Sequence, residues 1–202
     1  METLEPGWKT MERLRLISMP AFVQPRLLSI YAGMGEIRAD GDYAQFGVYR
    51  GHTARVIAAL TDRGRKLHLF DSFEGLPEPW LNKRTGHFKL KPNQIPQFDP
   101  DVAIIHKGWF KVTVPVFAKE HTQPLAFIHM DADLYSSTID VLFNINDIIV
   151  KDTVIVFDEY ANEEKNMDDE HRAFMEWMKK FDRQCDYLWR TERSKICVRI
   201  TR

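Results

Sequence analysis

The chain has 202 residues, 44% of them hydrophobic and 28% charged, with a formal net charge of −1 at pH 7. This is the composition of one globular domain with a sizeable core, and its near-neutral balance lacks the basic excess of a nucleic-acid-binding surface. No run reaches the roughly 18–20 apolar residues of a membrane span, and Met1 to Lys9 has neither the basic start nor the apolar stretch of a signal peptide, so a cytoplasmic protein without nucleic-acid or membrane partners is expected.

In chain order, Met11 to Ile37 carries apolar residues at helical spacing (Leu14, Ile17, Leu27, Leu28, Tyr31, Met34), and Pro20 and Pro25 divide it into two helices. Short apolar runs then alternate with helical stretches. Strands are predicted at Tyr43–Val48, Leu67–Phe70, Val102–His106, Leu125–Met130 and Val154–Phe157. Helices are predicted at His52–Thr61, weakly at Phe110–Lys119, at Leu134–Ile149, and at His171–Phe181, where Phe174, Trp177, Met178 and Phe181 share one stripe. Tyr187–Trp189 and Ile196–Ile200 read as two last strands joined by a polar turn. The two cysteines, Cys185 and Cys197, fall in these strands, without the spacing of a zinc site, and read as buried small hydrophobes.

Short strands buried on both faces and separated by helices imply right-handed βαβ units and a parallel sheet. A turn alone between the last two strands forces an antiparallel pair there. The expectation is an α/β, doubly wound, mostly parallel seven-stranded sheet with an antiparallel terminal hairpin. That is the outline of the Rossmann-like class I methyltransferase fold, and other doubly wound folds share most of it. One domain spans 1–202, with N-terminal helices over 1–40. Ser72 to Pro100 interrupts the alternation with five prolines, two glycines and many charges. Because it begins at the carboxyl end of a strand, where ligands bind in such sheets, 72–100 is predicted to be a lid-like insertion.

Three groups of residues point to chemistry. Gly47 and Gly51 bracket the first strand-to-helix turn, where glycine allows a tight bend and close approach of a ligand. Asp71 follows the second strand, 24 positions after Gly47, and suits the two ribose hydroxyls of a nucleoside cofactor; capping a turn is the alternative role. Asp131 and Asp133 close the fourth strand and Asp158 and Glu159 the fifth, on neighbouring strand ends. Clustered carboxylates repel unless compensated, and oxygen ligands favour a magnesium-like divalent cation. Alternatively, one acid stays metal-free as a general base, or the acids serve as helix caps.

The runs Phe46-Gly47-Val48-Tyr49-Arg50-Gly51-His52-Thr53, Phe70-Asp71-Ser72-Phe73-Glu74-Gly75-Leu76-Pro77, Lys107-Gly108-Trp109-Phe110, His129-Met130-Asp131-Ala132-Asp133-Leu134-Tyr135-Ser136-Ser137-Thr138 and Val156-Phe157-Asp158-Glu159-Tyr160 resemble the macrocin O-methyltransferase family over about Tyr43 to Phe181. The resemblance implies an S-adenosylmethionine-dependent O-methyltransferase that acts on a hydroxyl of a small molecule, a sugar or glycosylated metabolite, with a possible homo-oligomer. By this resemblance Gly47, Val48, Tyr49 and Gly51 line the methionine part of the cofactor. Asp71 holds the ribose, with Ser72 and Phe73 beside it, and Gly108 and Trp109 lie near the adenine. Asp131, Asp158 and Glu159 match magnesium ligands, and Asp131 acts as, or beside, the base. Two departures stand out. The family usually has glutamate where this chain has Gln45, and Asp158-Glu159 replaces the common pair of aspartates. Competing readings are a catechol-type O-methyltransferase, a non-catalytic nucleoside-binding module, and a nucleotide-dependent oxidoreductase. The last lacks its G-x-G-x-x-G turn here.

Overall fold

The computed structural model describes residues 25–161, 167–191 and 194–202. The first of the two expected N-terminal helices lies outside these residues. The second is α1 (Pro25–Met34). There follow β1 (Asp42–Phe46), α2 (His52–Leu60), β2 (Leu67–Asp71), β3 (Ala103–Lys107), α3 (Phe110–Glu120), β4 (Leu125–Met130), α4 (Tyr135–Leu142), β5 (Ile149–Phe157), α5 (Glu170–Lys180), β6 (Cys185–Arg190) and β7 (Ile196–Ile200).

Among the described residues, seven strands form one sheet in the order β3-β2-β1-β4-β5-β7-β6. The first five are parallel, while β7 runs antiparallel to both β5 and β6. The core divides by sheet face. On one side Ile30 of α1 and Ala54 and Ile57 of α2 pack with Leu67, Phe127 and Val156. On the other, Val114 and Phe117 of α3, Val141 and Leu142 of α4, and Phe174, Trp177 and Met178 of α5 pack with Phe46, Ile128 and Phe157. Every residue of β4 is buried, as a central strand covered on both faces requires. The strand order reverses between β1 and β4, which opens a crevice at their carboxyl ends.

Two boundaries differ from expectation. The helix predicted over Leu134–Ile149 ends at Leu142, and a 3-10 turn at Asn146–Ile148 leads directly into β5. Asn144 donates its side-chain amide to the Asp140 carbonyl, and Arg183, from beyond α5, donates to both Oδ1 and the carbonyl of Asn146. Asparagine amides that compete for backbone partners end a helix, and here a distant arginine holds the turn. In turn β5 begins five residues earlier than Val154, at Ile149. Its polar stretch Lys151-Asp152-Thr153 is an irregularity in which Asp152 takes φ 71° and Thr153 Oγ1 donates to the Leu125 carbonyl. A bulge of this kind interrupts apolar alternation without ending the strand.

The 72–100 insertion is built onto the domain. Phe73 and Leu90 enter the core, Ile95 and Phe98 pack against it, and Leu76, Trp80 and Leu134 form a small cluster of their own with Phe88. Of the cysteines, Cys197 is buried and Cys185 half-buried, and they are not joined in a disulfide. No helix among the described residues is long and apolar enough to cross a membrane.

Candidate active site

The turn after β1 is shaped by glycine and fastened by side chains. Gly47 has φ 90°, and a Cβ there would fall 1.9 Å from the Asp131 carbonyl oxygen, so the turn lies directly on the end of β4. Gln45, fully buried, donates its amide to the Gly47 carbonyl (2.8 Å) and to Thr53 Oγ1 (2.8 Å). The position where the family usually carries glutamate is therefore an amide donor that clamps the turn to α2; a carboxylate cannot make the bond to Gly47.

Asp71, the last residue of β2, holds the same turn from the other side. Its Oδ2 accepts the backbone N–H groups of Val48 and Tyr49 (both 2.8 Å), and its Oδ1 accepts that of Phe73 (2.7 Å). A carboxylate offers roughly four acceptor positions, so these bonds occupy most of its capacity. Asp71 thus carries the turn-capping role raised from sequence. It also lines the cavity, and two ribose hydroxyls would have to share its oxygens with the backbone.

The crevice between the β1 and β4 ends is a cavity of about 700 Å³, inside the range of small-molecule sites. Gly47, Val48, Tyr49, Asp71, Ser72, Gly108 and Trp109, positions that the family resemblance assigns to the cofactor, line it. Two others expected there stand elsewhere. Phe73, at φ 57°, is 2% exposed and turned into the core. Gly51, at φ 76°, faces the insertion: a Cβ would meet Pro96 at 2.9 Å. Its missing side chain serves loop packing, since the insertion folds back over the start of α2.

The insertion roofs the cavity with Leu76, Pro77, Glu78, Trp80, Lys83 and Phe88. Phe88 meets Tyr49 edge-on, with ring centroids 5.5 Å apart. Glu78 Oε1 accepts from Ser136 Oγ of α4 (2.6 Å), and Trp80 Nε1 donates to Asp169 before α5 (3.0 Å). Lys83 Nζ lies 4.0 Å from the Trp80 ring centre. Tyr49, Phe88 and Asp133 all line the cavity with positive φ (50°, 72° and 61°). Such non-glycine conformations cost of order 1 kcal/mol or more and persist where surrounding structure enforces them.

The acids meet at the far wall. Asp131, Asp133 and Glu159 line the cavity, while Asp158 is fully buried behind them. Lys195, just before β7, contacts Asp158 Oδ1 with its ammonium, and Ser194 Oγ donates to the Asp158 carbonyl (2.8 Å). His129 Nε2 lies 3.5 Å from the same Oδ1. Between the two strand ends stands Glu170, the first residue of α5 and fully buried. It accepts the N–H of Ala132 on one oxygen (3.0 Å) and of Glu159 on the other (3.2 Å). Burial, reinforced by Asp131, Asp133 and Asp158, pushes its carboxyl well above the usual range. Glu170 and Lys195 were not among the residues singled out from sequence. One reads as a helix-flanking acid and the other as part of a polar turn, and neither has a local signal.

These residues bear on a divalent ion as follows. Donor atoms of His129, Asp131 and Asp158 lie within 4.8 Å of one another, and Glu159 stands on the cavity wall outside that group. Asp131, Asp133 and Asp158 add to the burial that raises the Glu170 carboxyl, and the Lys195 ammonium contacts Asp158. Magnesium needs only one or two carboxylates and keeps several waters. The two carboxylates of the group are oxygen donors of the kind a hard divalent ion takes.

A model of the Macrocin-O-methyltransferase (TylF) family matches residues 24–190. The chain belongs to the macrocin O-methyltransferase family. Among curated members of similar sequence, it is 31% identical over 143 residues to 8-demethyl-8-(2,3-dimethoxy-alpha-L-rhamnosyl)-tetracenomycin-C 4'-O-methyltransferase of Streptomyces olivaceus, covering 60% of this chain and 53% of that protein. It is 27% identical over 157 residues to demethyldecarbamoylnovobiocin O-methyltransferase of Streptomyces niveus, covering 66% of this chain and 58% of that one. The chain thus spans little more than half the length of these macrocin O-methyltransferase relatives. Its fold is that of the calicheamicin methyltransferase CalS11 (TM-score 0.71, 22% identity, 86% of this chain and 77% of that one). The O-methyltransferase NovP matches equally well (TM-score 0.71, 23% identity, 88% and 80%). This is the class I methyltransferase fold expected from the strand pattern.

Proposed function

We propose that this chain is an S-adenosylmethionine-dependent O-methyltransferase whose acceptor is a hydroxyl on the sugar of a glycosylated small molecule. The observation that carries the reading is one cavity bounded on one side by the Gly47 turn and Asp71 and on the other by Asp131, Asp133 and Glu159. A nucleoside cofactor held by the first side would face the carboxylates of the second. The names of the curated relatives, both O-methyltransferases of glycosylated or novobiocin-type compounds, support the acceptor class.

Methyl transfer from a sulfonium to an oxygen is an in-line displacement with an activated donor. The protein's work is to align two reactants and remove a proton. The turn Gly47–Tyr49 would hold the methionine end of the cofactor, Asp71 and Ser72 the ribose, and Gly108 with Trp109 the adenine side. Asp131 accepts the hydroxyl proton on a carboxylate oxygen. Asp131 and Asp158, with His129 and Glu159 beside them, would hold a divalent ion such as Mg²⁺, whose Lewis acidity lowers the pKa of a hydroxyl. Trp80 and Phe88 of the insertion exclude water above the acceptor.

The charge of the wall narrows the acceptor. Asp71, Glu78, Asp131, Asp133, Asp140 and Glu159 line the cavity against Lys83 and Lys111. Of the four basic residues that make the insertion locally positive in sequence (Lys83, Arg84, Lys89, Lys91), Lys83 alone lines the cavity, and Lys89 is paired with Glu74. A neutral or cationic sugar suits this wall better than a phosphorylated one. The test is calorimetry with S-adenosylmethionine, with and without Mg²⁺, followed by mass-spectrometric assay of methyl transfer to neutral, amino- and phospho-sugar glycosides. No cofactor binding would reject the reading. Transfer to the phosphorylated acceptors alone would reject the acceptor class.

A further inference from the structure

A second cluster of ligating side chains lies at the opposite end of the sheet, away from the cavity. Asp42 opens β1, His68 is the second residue of β2, and His121 follows the last turn of α3. His68 Nε2 is 3.5 Å from Asp42 Oδ2, and His121 Nε2 is 3.7 Å from the same oxygen. The three side chains offer donor atoms within 4.8 Å of one another.

These separations are long for hydrogen bonds, whose N–H···O distances run from about 2.7 to 3.2 Å. They are close to the edge of a tetrahedron around zinc, roughly 3.3 Å for bonds of about 2.0–2.1 Å. His121 Nε2 is a buried atom with no hydrogen-bond partner among the described residues. An imidazole nitrogen aimed at a carboxylate, buried and unbonded, calls for a cation between them.

The surroundings orient the ligands. His106, on β3, places Nε2 3.1 Å from His68 Nδ1. When Nδ1 carries the proton and donates to His106, the lone pair of His68 stands on Nε2, facing Asp42. Bound histidines are oriented in this way by a partner on their other nitrogen. Asp42 Oδ1 accepts the Lys66 N–H (2.8 Å), which leaves Oδ2 for the cluster. Phe117 stacks on His121 (centroids 4.5 Å, 20° between planes) and fixes that ring.

We propose that Asp42, His68 and His121 form a binding site for a borderline transition-metal ion of the zinc class, which ties the start of β1 and β2 to the end of α3. Two imidazoles and one carboxylate select zinc, cobalt or nickel over magnesium, with water completing the shell. The site differs in place and ligand type from the acid cluster at the cavity, and it does not depend on the proposed transferase activity.

The experiment uses the whole chain, stripped of metal by chelation, carrying Asp131→Asn so that the acid cluster does not compete. Zn²⁺ is titrated calorimetrically, and Co²⁺ is followed by its visible d–d absorption. The expected result is one ion per chain, an intense low-symmetry Co²⁺ spectrum, and a rise in Tm of roughly 5 °C at a hundredfold excess over Kd. His121→Gln, at a helix end, and Asp42→Asn each lower affinity at least tenfold and abolish the Tm rise. His106→Phe, which keeps all three ligands, lowers affinity about 10–100-fold by releasing His68. Absence of stoichiometric Zn²⁺ binding overturns the proposal, as does unchanged affinity in folded His121→Gln.

Discussion

The Lys195 ammonium rests on the Asp158 carboxylate at the end of β5, both side chains nearly inaccessible to water. An acid read from sequence as a metal ligand already has a protein cation beside it. The pair sits behind Asp131, Asp133 and Glu159, which line the cavity.

Lys195→Met tests that arrangement. Removing one partner of a buried pair leaves an uncompensated charge and costs about 3–5 kcal/mol. Without divalent ions, the variant is expected to lose that much stability in chemical denaturation. In Mg²⁺ or Mn²⁺ it should recover part of it and bind the ion more tightly than wild type. A variant as stable as wild type, with unchanged ion affinity, would show that Lys195 does not govern Asp158.

Gln45→Glu restores the residue usual in the family, yet it is expected to harm this chain. The amide N–H groups on Gly47 and Thr53 vanish, and a carboxylate oxygen is placed against the Gly47 carbonyl. Leaving such buried groups unsatisfied costs about 1–3 kcal/mol. Urea denaturation should show the loss, and calorimetry should show weaker S-adenosylmethionine binding, because the turn it fastens lines the cavity. Unchanged stability and affinity would mean that the amide clamp is dispensable.

Asp131→Asn separates proton removal from binding. A positioned general base contributes roughly 10²–10⁴-fold. The expected outcome is a fall in kcat of at least about a hundredfold, with S-adenosylmethionine affinity changed only a few-fold. Equal losses in cofactor affinity and turnover would reassign Asp131 to binding.

His171 predicts a pH dependence of stability. It is 7% exposed, its ring lies against Tyr160 (centroids 4.9 Å), and burial pushes its pKa from 6.5 down to about 4. Between those values the unfolded chain takes up a proton that the folded chain refuses. Its contribution is therefore intact above pH 6.5, declines as pH falls toward 4, and levels off below. A shift of this size corresponds to about 3 kcal/mol. His171→Leu should flatten that share of the curve in denaturation series between these pH values, while His68, His106 and His121, shifted the same way, keep theirs. An unchanged slope would show that His171 is not the group responsible.

Most of the fold was legible because its signals are local. β4 and β7 have the predicted bounds, and the other elements lie within a few residues of theirs apart from α4 and β5. Those two mislead because their boundary depends on Arg183, which reaches Asn146 across 37 positions, and on a bulge that hides strand behind Lys151-Asp152. The site was legible where strand ends carry acids or glycines. It was not legible where partners come from other elements, as with Glu170 under both acidic turns and Lys195 against Asp158.

By itself, the sequence determined the order of strands and helices, the glycine bend after β1, and the carboxylates at the ends of β2, β4 and β5. Alternation of apolar residues and backbone freedom at glycine are properties of neighbours along the chain. Tertiary structure alone decided that Asp71 gives Oδ2 to the backbone of another loop, that Gly51 and Phe73 turn away from the cavity, and that Lys195 reaches Asp158. Those outcomes depend on which charges and donors share a buried volume. Only the packing of separate elements sets that.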